Sequence, residues 1–456
     1  MKRQRIGQSS SQRSYHRQLL HAIGKFLPHR GLPLRREDRR VRWTDRLLVA
    51  MAMLMAWQAA PTLKDAFEAC WQVVTGMYPT RRRAGHTYEG FIKALQRQSG
   101  RLMPIVAAAL REAVREVARC CWRIEGWVVM GVDGSRIDCP RTAANQKAFG
   151  CAGRDKTTPQ QFVTAVLHVG TGLIWDWRRG GGKDAERNHL REMIATLPAR
   201  AMLLADAGFT GYELLKELIA SGRSFIIRCG GNVRLLRKLG FALREHDGIV
   251  YLWPQKHRGQ EPLVLRLVVV HDGRKAVYLL TSLLEESALS DGQVARMYRR
   301  RWGIEVFYRS LKQTMEKRKM HSTSPAKAQV ELDWAMCGLW MLGLLTVERM
   351  VRRQVSPTRW SVAESLRVVR RIMSGRGGRQ AAKDLCALAR AVKDAYRRRR
   401  PKTARDWPHK KTEAPPKPPK IRTARRREKQ EAQRFKDTKD AAWFAALGAT
   451  GCSQPV

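Results

Sequence analysis

Apolar residues recur at helical intervals through the first part of the chain. Four stretches carry the pattern: "DRLLVAMAMLMAWQAA" (45–60), "PTLKDAFEACWQVVTGM" (61–77), "YEGFIKALQRQ" (88–98) and "LMPIVAAALREAVREVARCCW" (102–122). Thr44 or Asp45 can cap the first, and Pro61 fits the first position of the second. From 126 the period shortens. "GWVVMGVD", "QFVTAVLHVG" and "LIWDWRR" read as strands, the last two joined over "GTG" as a hairpin. "KDAERNHLREMIATL" (183–197) is an amphipathic helix, followed by strand "AMLLAD" (201–206), helix "GYELLKELIAS" and strand "SFIIRC" (224–229). Strands alternating with helices in this way predict a mixed α/β layer. Residues 230–285 interrupt it with β-rich hairpins, and helices return at 289–318 and 326–353. "SVAESLRVVRRIM" and "QAAKDLCALARAVKDAYRR" predict two more. The expected divisions are 1–122, a basic arm with an all-helical N-terminal domain; 123–229 with 286–353, the α/β core; 230–285, an insertion; 354–396, a helical C-terminal region; and 397–456, a basic, mostly disordered tail ending in a weak helix at "TKDAAWFAALG".

Two runs are apolar enough to raise a membrane, 47–60 and 334–347. Both fall short of the roughly 20 residues that a span needs, so they are expected as buried core helices. Charge changes the picture more. The 456 residues hold 87 Lys and Arg against 40 Asp and Glu, a net charge of +47. A chain so basic calls for a polyanion, and nucleic acid supplies phosphates whose neutralisation releases counterions. Fourteen tryptophans and long apolar helices set it apart from ribosomal or chromatin proteins. The nine cysteines have no CxxC spacing, which argues for reduced thiols rather than a disulfide framework or zinc site. The charged N-terminus lacks a following apolar stretch, so no secretory signal is expected.

Candidate chemistry gathers at three acids: Asp133 at the end of the first predicted strand, Asp206 at the end of "AMLLAD", and Glu305 in "YRRRWGIEVFYRSLK" (298–312). Taken singly, each reads most simply as a solvated or capping carboxylate. Together, two strand ends and a neighbouring helix are where sites form in open sheets. Two Asp and one Glu suit a pair of hard cations, and paired cations serve phosphodiester hydrolysis and transfer. In 298–312, Tyr298, Arg301, Glu305 and Lys312 fall in one wedge of a continuous helix, while Ile304, Phe307, Tyr308, Leu311 and Met315 form its buried stripe.

"GVDGSRIDCP", "LLADAGFTGYELL" and "YRRRWGIEVFYRSLK" resemble the three acidic motifs of the IS4-type DDE transposases. Tyr298, two residues, Arg301, three, Glu305, six and Lys312 match that family's Y-(2)-R-(3)-E-(6)-K signature at every position, with "TSL" (281–283) and "FIIRC" in weaker support. The resemblance spans about 126–345. It implies an α/β, RNase H-like catalytic core with a β-rich insertion, and Asp133, Asp206 and Glu305 as ligands of two Mg²⁺ or Mn²⁺ ions. Tyr298, Arg301 and Lys312 would hold the DNA backbone. Trp253 is a candidate for stacking on an unpaired base, against the plainer role of a core ring. The expected activity is cutting at the ends of an insertion sequence and joining the 3′-hydroxyls to target DNA; a hairpin intermediate is expected of the family.

The expected partners are double-stranded DNA, for which the helical N-terminal domain within 1–122 is expected as a DNA-binding domain, and a second copy of the chain, paired through the C-terminal helices; no membrane is expected, and the setting is a bacterial cytoplasm, at the nucleoid. A nuclease without strand transfer and a domesticated, non-catalytic DNA-binding protein are the alternatives. Three other features carry less: the basic run 29–43, Glu186, Arg187 and His189 as charges beside the site with His189 not a ligand, and Gly180–Gly182 as a turn.

Overall fold

The computed structural model describes residues 10–28, 32, 42–75, 85–152, 157–272, 275–375, 385–393 and 417–437. In chain order the elements are α1 (Ser10–Lys25), α2 (Asp45–Trp57), α3 (Leu63–Thr75), α4 (Tyr88–Val117), β1 (Val128–Asp138), α5 (Ala143–Phe149), β2 (Gln160–His168), β3 (Leu173–Gly181), α6 (Glu186–Met193), β4 (Ala201–Ala205), α7 (Tyr212–Ala220), β5 (Ser224–Cys229), β6 (Arg234–Arg237), β7 (Ile249–Leu252), β8 (Leu263–Asp272), β9 (Lys275–Thr281), α8 (Asp291–Arg299), α9 (Trp302–Arg309), α10 (Pro325–Arg352), α11 (Val362–Met373) and β10 (Lys420–Thr423). Among the described residues a further helix, α12, runs over 426–437. The chain divides into two units: Met1–Ile124, Asp133–His189 and Trp302–Arg397 form the first, and Glu125–Val132, Leu190–Arg301 and Arg398–Val456 the second.

The first unit is built around α10. By length and composition α10 could cross a membrane, yet 94% of its apolar window is buried inside the protein, and it is a core helix. It packs against α2 and α4. The α2 contact is close because Gly338 has no side chain: a Cβ there would lie 2.5 Å from the Ala56 Cβ. Trp57 closes the seam by donating its indole N–H to the Gly338 carbonyl at 2.8 Å. α10 also anchors the β2–β3 hairpin, since Asp333 accepts from Trp177 Nε1 (3.0 Å) and Arg179 Nε (2.9 Å). That hairpin turns over Gly170–Gly172, with Gly172 at φ 70°, as the "GTG" spacing predicts.

Local chemistry redraws some helix boundaries. The separate runs at 88–98 and 102–122 are one helix, α4, which passes through Pro104. A proline removes one backbone bond, but Leu102, Val106 and Leu110 keep the buried face continuous across it. α3 begins after Thr62 rather than at Pro61, because the Thr62 hydroxyl caps the Asp65 N–H at 3.1 Å.

The second unit carries strands in the order β10-β6-β7-β8-β9-β5-β4-β1. β1, β4 and β5 run parallel, with Val128 opposite Ala201 through Gly131 opposite Leu204, and Met202 opposite Ser224. The β-rich 230–285 segment does not stand apart from this layer: β9 pairs antiparallel with β5, Ile226 opposite Thr281, and so extends the same sheet. β1 itself continues past Asp133 to Asp138, six residues into an eleven-residue strand, rather than ending at the acid.

The C-terminal composition predicts disorder over 397–430, but 417–437 is ordered. β10 pairs parallel with β6, Lys420 opposite Arg234 through Thr423 opposite Arg237. Gly231 admits the incoming chain, since a Cβ there would meet Lys417 at 2.8 Å. Main-chain bonds need no particular side chains, so a low-complexity sequence can still add a strand. Glu428 then locks α12: it accepts from Arg422 (2.6 and 2.7 Å), Arg258 (2.7 Å) and the Arg425 N–H (2.9 Å). These donors, Arg422 foremost, hold its carboxyl down at about 2. A depressed carboxyl stabilises the docked state above the unfolded value and loses that contribution as pH falls from about 4.5 towards 2. Glu428→Gln is therefore expected to speed exchange of the Lys420 and Ala424 amides at neutral pH, and the unmodified chain to show the same loosening in that acid window. The rest of the predicted tail, the run to 416 and "TKDAAWFAALG", lies outside the described residues, as does most of 29–43. Within 385–393 the predicted long helix is a short turn, Ala387–Arg390.

Candidate active site

In the first unit Asp133 is half-buried on β1, and its Oδ1 accepts the N–H of Gly134 at 2.8 Å. α9 is seated on this strand by Tyr308. The Tyr308 hydroxyl lies 3.0 Å from the carbonyl oxygens of both Asp133 and Val163 and shares its hydrogen between them. Burial, and then the negative charge of Asp133, push its ionisation well above the usual tyrosine range, so it stays a neutral donor. Glu305 stands three residues earlier on α9, half-buried, on the adjoining face. Gly134 is needed beside Asp133: a Cβ there would sit 2.5 Å from the Phe162 ring and 2.8 Å from Glu186 Oε2. His189 is buried, with Nδ1 3.0 Å from the Thr164 hydroxyl and Nε2 3.8 Å from Asp184. Its ring lies 5.8 Å from that of Phe162, inside the fold rather than on the helix surface.

In the second unit Asp206 directly follows β4 and caps a short turn, its Oδ1 accepting the Gly208 N–H at 2.8 Å. Asp133 and Asp206 each stand two residues beyond the last register pair of their parallel strands, Gly131 and Leu204. Near Asp206 lies Tyr298 on α8. Burial raises its pKa, Arg301 and Arg228 oppose that, and Asp206 adds to it. The Arg301 guanidinium stands 5.8 Å from the Tyr298 ring centre. Arg228 was not singled out from the sequence. Its cue is a lone cation at the penultimate place of an otherwise apolar strand, "SFIIRC".

The signature stretch is not one helix. α8 ends at Arg299, and the N–H groups of Arg300 and Arg301 reach back only three residues, to Met297 (2.9 Å) and Tyr298 (3.0 Å). α9 restarts at Trp302 and passes into a π-helical turn, Ser310–Thr314, that carries Lys312. There the Ser310 hydroxyl takes the Val306 carbonyl (2.9 Å) and Met315 N–H bonds back to Ser310 (2.9 Å). A side chain competing for a helix carbonyl favours such widening. Tyr298 and Arg301 thus belong to the second unit, Glu305 and Lys312 to the first, and the single wedge is lost. The apolar stripe Ile304, Phe307, Tyr308, Leu311 and Met315 is buried as expected.

Trp253 is a core ring. It is 2% exposed, donates Nε1 to the carbonyls of Gln260 (2.7 Å) and His257 (3.1 Å), and is covered by Arg258 (4.1 Å) and Phe435 (6.2 Å). The expectation of an open stacking face is corrected by this burial. Trp302, at the start of α9 and three residues before Glu305, is 56% exposed.

Among the described residues no group of three or more His, Cys, Asp or Glu side chains is gathered to hold a metal ion. The donor chemistry of Asp133, Asp206 and Glu305, oxygen only, fits a hard divalent cation whose shell is completed by water and phosphate.

Residues 128–341 match the family model described as the transposase DDE domain. The transposase InsG for insertion sequence element IS4 of Escherichia coli (strain K12) is 28% identical over 326 residues, covering 64% of this chain and 71% of that one. Among solved structures, the piggyBac transposase synaptic complex with hairpin DNA aligns over 85% of each chain at 11% identity and a TM-score of 0.38, too low to equate the folds.

Proposed function

We propose that this chain, which carries a transposase DDE domain of the IS4 type, cuts DNA at the ends of an insertion sequence and joins the freed 3′-hydroxyls to target DNA. The observation that carries the reading is the seating of α9 on β1 through Tyr308, which ties the helix of Glu305 to the strand of Asp133. Asp206 joins them as third acid on its motif and its matching position past β4. The proposed core is RNase H-like, with 230–285 as its insertion. Asp133, Asp206 and Glu305 would hold two Mg²⁺ or Mn²⁺ ions, which supply activation of the attacking oxygen and relief of charge on the leaving one.

The chain's own residues have three tasks. The carboxylates hold the metal shell and set its geometry. Tyr298, Arg301, Arg228 and Lys312 bind phosphate: tyrosine stays protonated and donates, and the guanidinium groups offer paired N–H bonds to two phosphate oxygens. Trp302, rather than Trp253, offers an indole face to a base. Two ends cut together imply two copies on DNA.

The test is a labelled duplex bearing the element's end, incubated with divalent metal and unlabelled target. Cleaved ends and joined products are both expected. Cleavage without joining would point to the nuclease, and neither product, with binding intact, to a non-catalytic DNA-binding protein.

A further inference from the structure

The helical first unit contains a second cationic feature, unrelated to the acids. Arg17, His21 and Lys25 stand at i, i+4 and i+8 on α1, on one exposed face. They line a cleft of about 540 Å³ together with Glu348, Arg349 and Arg352 near the end of α10. Glu348 is the sole carboxylate among the lining residues. It already serves Lys25, Arg352 (2.9 Å) and Arg349 (3.6 Å). Four permanent cations against one carboxylate leave the walls with a net charge of about +3, His21 apart.

Like charges facing one another across a concavity repel, and the low-dielectric walls strengthen that repulsion. Burial draws the pKa of Arg349 down, and the negative Glu348 opposes the shift. The cations of α1 line the cleft while staying open to solvent, and Lys25 meets Glu348 there. An anion with several oxygens, entering the cleft, relieves the repulsion and finds guanidinium N–H groups suited to phosphate.

We infer that this cleft is a phosphate-backbone site for duplex DNA, holding a stretch of the double helix on the helical unit. The inference rests on the reading of the chain as a DNA transposase and adds to it a contact outside the acids and the signature. Its occupant chemistry is a row of phosphodiester oxyanions, read without regard to base sequence.

The experiment compares the full chain with Arg17→Gln/Arg352→Gln, by fluorescence anisotropy on a labelled duplex of arbitrary sequence over a salt series. Loss of two phosphate contacts is expected to flatten the slope of log affinity against log salt by about 2 and weaken binding roughly tenfold. Arg17→Lys/Arg352→Lys keeps the charge and should keep the slope, which separates charge loss from damage to the fold. Arg97→Gln/Arg367→Gln removes the same charge from exposed positions on α4 and α11 and should change the slope less. An unchanged slope in the cleft variant, or an equal change in the α4/α11 variant, overturns the proposal. Inorganic pyrophosphate, added as competitor, should displace DNA only weakly; tight pyrophosphate binding lost in the cleft variant, with DNA binding intact, would assign the cleft to a small free anion and overturn it too. A wild-type chain that bound no duplex would instead remove the transposase reading itself.

Discussion

Asp133→Asn and Glu305→Gln are each expected to reduce strand cleavage by roughly a thousandfold or more while leaving the fold and DNA binding in place. Both changes keep the shape of the side chain and remove its charge. At Asp133 the amide oxygen of asparagine can still accept the Gly134 N–H, and Tyr308 bonds the main-chain carbonyl rather than the carboxylate. The local structure therefore has little reason to move. Reactivity has every reason to fall, because an amide oxygen is a poor ligand for a hard dication and cannot offset its charge. Binding provides the internal control and its sign is informative: deleting a negative charge beside cations should hold or slightly raise affinity for duplex DNA. Cleavage of an end-labelled duplex with Mg²⁺, alongside anisotropy on the same preparations, checks both. Near-normal cutting by either variant would remove that residue from the proposed triad, and Asp206→Asn should behave like the other two.

The second large effect concerns stability. Trp57→Ala is expected to cost the first unit about 3–5 kcal/mol. Trp57 is fully buried, and its ring fills the seam where α2 meets α10. The helices approach so closely, Ala56 against Gly338, that they cannot collapse further into the space left by an indole. At about 2–4 °C per kcal/mol for a unit of this size, the thermal midpoint should drop by on the order of 10 °C. Because α10 also anchors β3 through Asp333, activity should be lost together with the helical signal. Trp57→Phe keeps most of the buried area and should fall much less. A midpoint unmoved by Trp57→Ala would mean that the α2–α10 seam contributes little.

Much of this was legible beforehand because it depends on neighbours in sequence. The apolar run of α10 reads as core because at 334–347 it is shorter than the roughly 20 residues a span needs. The "GTG" hairpin follows from a glycine that accepts a positive φ. Asp206 is legible as a strand-end acid because the run before it, "AMLLA", is wholly apolar, and the capping role that such a position offers is the one it fills at Gly208. The buried stripe from Ile304 to Met315 also follows from spacing alone.

Elsewhere a distant partner decided. Nothing adjacent to Trp253 announces that Arg258 and Phe435, the latter 182 residues on, cover its ring, so exposure could not be read from "YLWP". The 417–437 segment looks disordered because it has too few apolar residues to fold alone; β6 supplies its partner and Glu428 its lock. Arg228 becomes a site candidate only once Tyr298 lies near it. The signature itself shows both sides. Its letters, spacing and buried stripe are properties of the chain, and the sequence by itself determined which residues are available for chemistry. Whether they share one helix face was settled by the turn at Arg300–Arg301 and the π-helical widening at Ser310. Periodicity assumes an unbroken helix, and only tertiary packing, with the hydrogen bonds it permits, determines where that assumption fails.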